Sequence, residues 1–114
     1  MPRPDGGNYL ILLVEAAGGL ERRLGSALDT AGYEVESVES ASECLRRIRR
    51  GDVDGIVSEY ALSDLDGVQL LRSVRVSYPS LPFVLAPEEG SEAIAGDAVA
   101  AGVSGYVPEG EGPE

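Results

Sequence analysis

Five short apolar runs, separated by stretches with helical spacing, leave this chain few ways to fold. "YLILLV" (9–14) is a continuous apolar run of strand length, the pattern of a strand buried on both faces of a parallel sheet. Leu20, Leu24, Ala27, Leu28 and Ala31 then recur at the period of one helix face, and Gly32 supplies a stop. "YEVESV" (33–38) alternates less cleanly through Tyr33, Val35 and Val38 and reads as a half-buried edge strand. Ser40 can cap a second helix and Gly51 can end it. "DGIVS" (54–58) is a third strand, and Asp66-Gly67 lead into a third helix through Val68, Leu71 and Val74. Pro79 and Pro82 bracket the next turn. "FVLA" (83–86) is a fourth strand, Ser91 caps a fourth helix carrying Ile94, Ala98 and Ala101, and "GYV" (105–107) is a fifth strand.

The order is βαβαβαβαβ with short connections, which predicts a mostly parallel sheet wrapped by helices. At 114 residues the chain makes one domain with a single sizeable core. That domain is expected over 9–110, after a loose leader (1–8) and before a Gly- and Glu-rich tail (111–114). No apolar run approaches the ~18 residues of a membrane span, and "MPRPDGGN" lacks the apolar centre of a signal peptide.

Charge narrows the partners. The net charge is −11 and every basic residue is Arg. A surface this negative disfavours direct contact with nucleic acid or anionic membrane. It also suits a halophile-like setting, where salt screens the mutual repulsion of carboxylates. Cys44 is the only cysteine, so no internal disulfide can form and a cytoplasmic setting is expected. In line with Ala41, Leu45 and Ile48, it reads as a small buried apolar side chain. "RRIRR" (46–50) is a basic patch on an acidic protein. It is read as a solvated helix face, with a docking site for an acidic partner as the alternative. "AAGGLE" (16–21) lacks the spacing of a phosphate-binding loop and any P-loop Lys.

Several strings in this order resemble the receiver domain of two-component response regulators. "ILLVE" resembles that family's first strand and "AGYEVESVESASECL" its second strand and helix. "IVSEYALSDLDGVQLL" resembles the strand, loop and helix that carry the phosphorylated Asp. "LPFVLAPEEGSEAIAGDAVAAGVSGYV" resembles the fourth strand through the fifth. The resemblance runs from about Tyr9 to Gly110. It implies a flavodoxin-like, doubly wound parallel five-stranded sheet in the order 2-1-3-4-5, with the site at the carboxyl ends of the strands.

It also implies a site that this chain alters. The family's Asp attacks a phosphoryl group while Mg²⁺, held by an acidic pair and a backbone carbonyl, neutralises charge. A Ser or Thr and a Lys contact the phosphoryl oxygens. Here the acidic pair falls on Glu15 and Ala16, and the acceptor on Glu59. The carbonyl falls on Ala61, the hydroxyl position on Pro87 (Ala86 if the register slips by one), and the Lys on Glu109. The Pro often found in the acceptor loop is Ser63, while Tyr106 matches the family's aromatic position and "DLDG" its turn.

Glu59 has three readings: a solvated loop carboxylate with no role, a built-in mimic of the phosphorylated state, or part of a cation site with Glu15 and Glu109. No cofactor is expected, with Mg²⁺ as the alternative, and Glu15 and Glu59 are the candidates to hold a metal. The resemblance therefore implies a degenerate receiver: not an enzyme, acting by protein–protein contact with a histidine kinase or an effector domain, in a separate protein or the same parent chain. The alternatives are a phosphorylatable, Mg²⁺-dependent receiver and a small-ligand-binding module. The family's fifth helix is absent from this sequence. Strands three to five should then lie open on the side of helix one, and a homodimer covering them is expected.

Overall fold

The computed structural model describes residues 6–108. Residues 1–5 and 109–114, Glu109 and the expected domain end at Gly110 among them, lie outside the described residues, so the expectations placed on them are not addressed by the fold. Strands β1 (Leu10–Val14), β2 (Glu34–Val38), β3 (Gly55–Ser58), β4 (Phe83–Leu85) and β5 (Gly105–Tyr106) form one sheet in the order β2-β1-β3-β4-β5. Every pairing is parallel. Each apolar run became a strand because the crossovers place helices on both faces, where an uninterrupted apolar strand is the favourable kind. β2 sits at the edge, and its alternating Glu and Val side chains are exposed or half-buried.

Helices α2 (Ala41–Arg49), α3 (Gly67–Ser77) and α4 (Glu92–Ala100) cover one face. Their core joins Leu12, Val14, Cys44, Ile48, Ile56, Leu71, Val74, Phe83, Leu85 and Ala98. Cys44 is fully buried there, and burial pushes its thiol up to about 12, so it packs as an apolar group. The caps expected at Ser40 and Ser91 form, Ser40 Oγ accepting from the Glu43 amide and Ser91 Oγ from the Ile94 amide; Asp66, at the expected start of the third helix, also makes a reciprocal capping box with Gln69. Gly51 turns the chain at φ 84° after α2.

Helix α1 departs from expectation. It opens with a π-helical turn, Glu21–Gly25, and continues as α-helix over Ser26–Thr30. The wider turn breaks the 3.6-residue register. Leu20, Leu24 and Leu28, four residues apart, face the sheet, while Ala27 and Ala31, expected on the same face, are exposed. On this side the core is small: Leu13, Leu20 and Ala86 are buried, with Ile11, Val35 and Val57 half-covered around them. The row Leu13–Val57–Val84–Gly105 crosses four strands in register. Val57 and Val84 are only half-buried, and Val107 next to β5 is 52% exposed. Among the described residues α1 alone covers this face, and the uneven cover foreseen from connectivity is present.

One long-range tie fixes the β3–α3 loop. Asp64 reaches across to the start of α2, where Oδ1 accepts from the Ala41 amide at 2.9 Å and Oδ2 from the Ser42 amide at 3.0 Å. These amide bonds hold its carboxyl below the usual range. A carboxyl depressed in the fold contributes stability above its unfolded value of about 3.8 and loses it as pH falls through the lower folded value. We predict that Asp64→Ala lowers the melting temperature by on the order of 5 °C at pH 7, as loss of a helix cap does. The difference should shrink as pH falls below about 3.8 and through the lower folded value. Thermal melts of both proteins across this range check it, and equal melting points at pH 7 would refute the tie.

Candidate functional site

The sheet itself assembles the site. Parallel pairing passes from strand end to strand end: the Glu15 amide donates to Val38 O, the Glu59 amide to Val14 O, the Ala86 amide to Ser58 O and the Val107 amide to Leu85 O, all at 2.8–3.0 Å. Glu15, Glu59, Ala86 and Val107 therefore line up just beyond the strands' carboxyl ends, where open α/β sheets place their ligand sites. The sequence positions singled out on β1, β3 and β4 are thus brought together.

Glu15 is 2% exposed, and both of its oxygens are engaged. Oε1 accepts from the Leu20 amide and, at 3.1 Å, from the Glu21 amide. Oε2 accepts from Ser37 Oγ at 3.1 Å and again from the Glu21 amide at 3.3 Å. The carboxylate caps the first turn of α1 from the strand side, where the unpaired amides and the helix dipole favour negative charge. "AAGG" is the loop that brings those amides back over Glu15. Gly18 turns at φ 76°, a conformation that costs glycine nothing.

Glu59 is 8% exposed, so it is not the solvated loop carboxylate that was one of its three readings. Its backbone follows β3, whose inward register buries it. Its Oε1 accepts from the Ala16 amide at 3.2 Å. Its Oε2 lies against Gly19, where a Cβ would stand only 3.2 Å away. Burial raises its carboxyl above the usual value; the Ala16 amide pulls it back, Glu15 and Glu88 raise it further, and the Arg23 guanidinium lowers it. Ala16 thus offers Glu59 a backbone donor where a second carboxylate would have offered a metal ligand. Among the described residues no cluster of three or more metal-ligating side chains forms; Glu15 and Glu59 are neighbours, but Glu15 is turned to α1.

The loop after β3 is tightly packed. The Gly67 amide donates to Tyr60 O at 2.7 Å. A Cβ on Gly67 would collide with Glu59 O and stand 2.5 Å from Leu85 Cδ1, which is why "DG" opens α3. Beside Glu59 lies a cleft of about 580 Å³ lined by Tyr60, Ala61, Pro87, Glu88, Glu89 and Ile94. Its lining holds two carboxylates and no cation, and neither Ala86 nor Pro87 brings a hydroxyl. Both of these are buried. Such a lining places negative charge beside the strand ends.

Tyr106 is half-buried on β5 and tied to the start of α4: its hydroxyl accepts from the Ser91 amide at 3.1 Å and donates to Ser91 O at 3.4 Å. Gly90 makes room for it, since a Cβ there would stand 2.7 Å from the Tyr106 hydroxyl and 2.6 Å from Pro108 Cβ. Neither this tie nor the helix-capping role of Glu15 was foreseen from the sequence. Neither matches a local capping motif: Glu15 reaches amides five and six residues ahead across the Gly-containing loop, and Tyr106 reaches back 15 residues to the start of α4.

Comparison with known proteins gives a consistent result. The family model of the response regulator receiver domain matches residues 11–111. The chain is similar to the transcriptional regulatory protein GlrR of Escherichia coli K12, 36% identical over 81 residues, which are 71% of this chain and 18% of that protein. It is similar to the sensor kinase CckA of Brucella abortus, 30% identical over 104 residues, 90% of this chain and 11% of that one. The chain therefore spans less than a fifth of the length of either relative. The receiver domain protein of Methanospirillum hungatei JF-1 shares the fold at a TM-score of 0.83 and 22% identity, covering 94% of this chain and 86% of that one.

The raised carboxyl of Glu59 yields a signed prediction. A carboxyl raised in the fold is favoured when protonated, so its ionisation costs stability as pH climbs through the raised value. Glu59→Gln should stabilise the domain at pH 7 by a few tenths to about 1 kcal/mol. The gain should vanish below the unfolded value of about 4.5. Urea unfolding at pH 7 and pH 4 measures both, and a destabilised variant at pH 7 would contradict the assignment.

Proposed function

This chain belongs to the response regulator receiver domain family, and from that premise we propose that it is a receiver without phosphoryl chemistry, acting in two-component signalling by protein contact. The observation that carries the proposal is the bonding of Glu15. Receiver domains bind Mg²⁺ at their acidic pocket, and that pocket needs open carboxylate oxygens. Here both oxygens of Glu15 hold α1 and Ser37, the neighbouring position is Ala16, and Oε1 of Glu59 is bonded to a backbone amide. The residues present do not fit the metal.

The remaining positions support the same reading. Glu59 carries one methylene more than an Asp, and misplacement of a reacting group by ~1 Å can cost about 10²-fold. Pro87 and Ala86 offer no hydroxyl, and the sequence puts Glu109 where the family has its Lys. The ordered strand ends survive; the groups that would stabilise a transferred phosphoryl do not. The domain is not an enzyme in this reading, and it requires no cofactor.

Its partners are a histidine kinase or an effector domain, in a separate protein or in the same parent chain, within the cytoplasm. Among the described residues no helix is long and apolar enough to cross a membrane, and the net charge of −11 opposes nucleic-acid contact. The half-open face that carries Val57, Val84 and Val107 supports self-association, since completing the burial of such side chains recovers part of the ~1.5–3 kcal/mol that full burial of each is worth.

Native mass spectrometry after incubation with acetyl phosphate and Mg²⁺ tests both parts at micromolar concentration. The expected spectrum shows a dimer whose mass is unchanged, for the protein and for Glu59→Asp alike. A phosphoryl adduct on Glu59 would overturn the loss of chemistry, and a purely monomeric chain would overturn self-association.

A further inference from the structure

Four of the nine basic residues of this acidic protein fall within five positions, Arg46–Arg50. Only one of them is consumed by the fold. Arg47 grips Glu36 with two bonds, Nε to Oε1 at 2.8 Å and Nη2 to Oε2 at 3.2 Å, and its Nη1 donates to Gly51 O at 3.0 Å. Its side chain is 11% exposed, so it is a fixed wall. Arg46, Arg49 and Arg50 are exposed. Arg46 in the last turn of α2 and Arg50 at its C-cap line a cleft of about 350 Å³ with Val38, Glu43 and Arg47.

Two like charges at i and i+4 destabilise a helix by ~0.2–0.5 kcal/mol. The carbonyl end of α2 offsets part of this, but one helix end does not call for four cations. The cleft has the hydrogen-bonded Arg47 as one wall, two exposed cations and the apolar side chain of Val38. From this juxtaposition we propose that the α2 cleft docks a short acidic segment of a partner protein, carboxylates on Arg46 and Arg50 and an apolar side chain against Val38.

The chain's own charge selects that occupant. Nucleic acid and anionic lipid present dense, extended negative charge, which the rest of this surface repels. A peptide with a few carboxylates meets the cations at contact distance, while the surrounding acidic surface is screened beyond a Debye length of ~8 Å at physiological ionic strength. The site deepens the reading as a protein-binding module, yet none of its arginines belongs to the strand-end cluster, and it does not depend on whether Glu59 is phosphorylated.

The test is a titration of the isotope-labelled chain, followed by amide NMR shifts. The probe is a synthetic peptide of four glutamates flanking one leucine; the control replaces the glutamates by glutamine. Saturable shifts confined to Val38 and Arg46–Arg50 are expected with the glutamate peptide. Binding should weaken roughly five- to tenfold in the double variant Arg46→Gln/Arg50→Gln, the effect of losing two exposed ion pairs, while the rest of the spectrum stays folded. Absence of saturable shifts, equal shifts with the glutamine peptide, or tighter binding of phosphatidylserine vesicles or duplex DNA would overturn the proposal. A phosphoryl adduct in the mass experiment would leave this result untouched, so the two readings fail separately.

Discussion

The contact on which the strand-end architecture depends is the buried carboxylate of Glu15 against the first amides of α1. An unpaired carboxylate at 2% exposure would be costly; here the Leu20 and Glu21 amides and the Ser37 hydroxyl satisfy it. The bond also fixes where α1 begins. Leu20 is thereby held fully buried against Leu13 and Ala86, and the Ala16–Gly19 loop is folded back so that the Ala16 amide reaches Glu59. One carboxylate thus sets the start of a helix, the smaller core and the surroundings of the second carboxylate.

Other ties hold the neighbouring loops. Asp64 joins the β3–α3 loop to the start of α2, and Tyr106 joins β5 to the start of α4. In each case a side chain distant in sequence satisfies amides that a helix leaves unpaired. These bonds pin the segments around Glu59, so the strand ends serve as a frame for surfaces such as the α2 cleft. In the proposed reading, the bonds that stabilise the frame are also the ones that engage the carboxylate oxygens a cation would need.

The sheet was legible because its signal is local and redundant. Continuous apolar runs at β1, β3 and β4, with Ser40, Asp66 and Ser91 at helix starts, mark elements that pack as they read. The core side of α3 through Val68, Leu71 and Val74 followed from spacing alone. Helix α1 was misread because its π-helical turn shifts the register by a residue, and nothing in "ERRLG" announces that shift. At the site, residue identities were legible but their bonding was not. The sequence set Glu15 and Glu59 near each other, yet only the geometry turns one to a helix start and buries the other. The acidic loop alone does not reveal that Glu59 is buried; the parallel register that buries it is a property of β1 and β3 together.

The most direct measurement of this account is a Mg²⁺ titration followed at the backbone amides of Ala16, Leu20, Glu21 and Glu59. If Glu15 and Glu59 are committed to amides, these four resonances should drift only weakly and without saturation through millimolar Mg²⁺, as a diffuse cation atmosphere produces. Saturable shifts centred on Ala16 and Glu59, with the Leu20 and Glu21 amides released from Glu15, would contradict it and restore a metal-binding receiver.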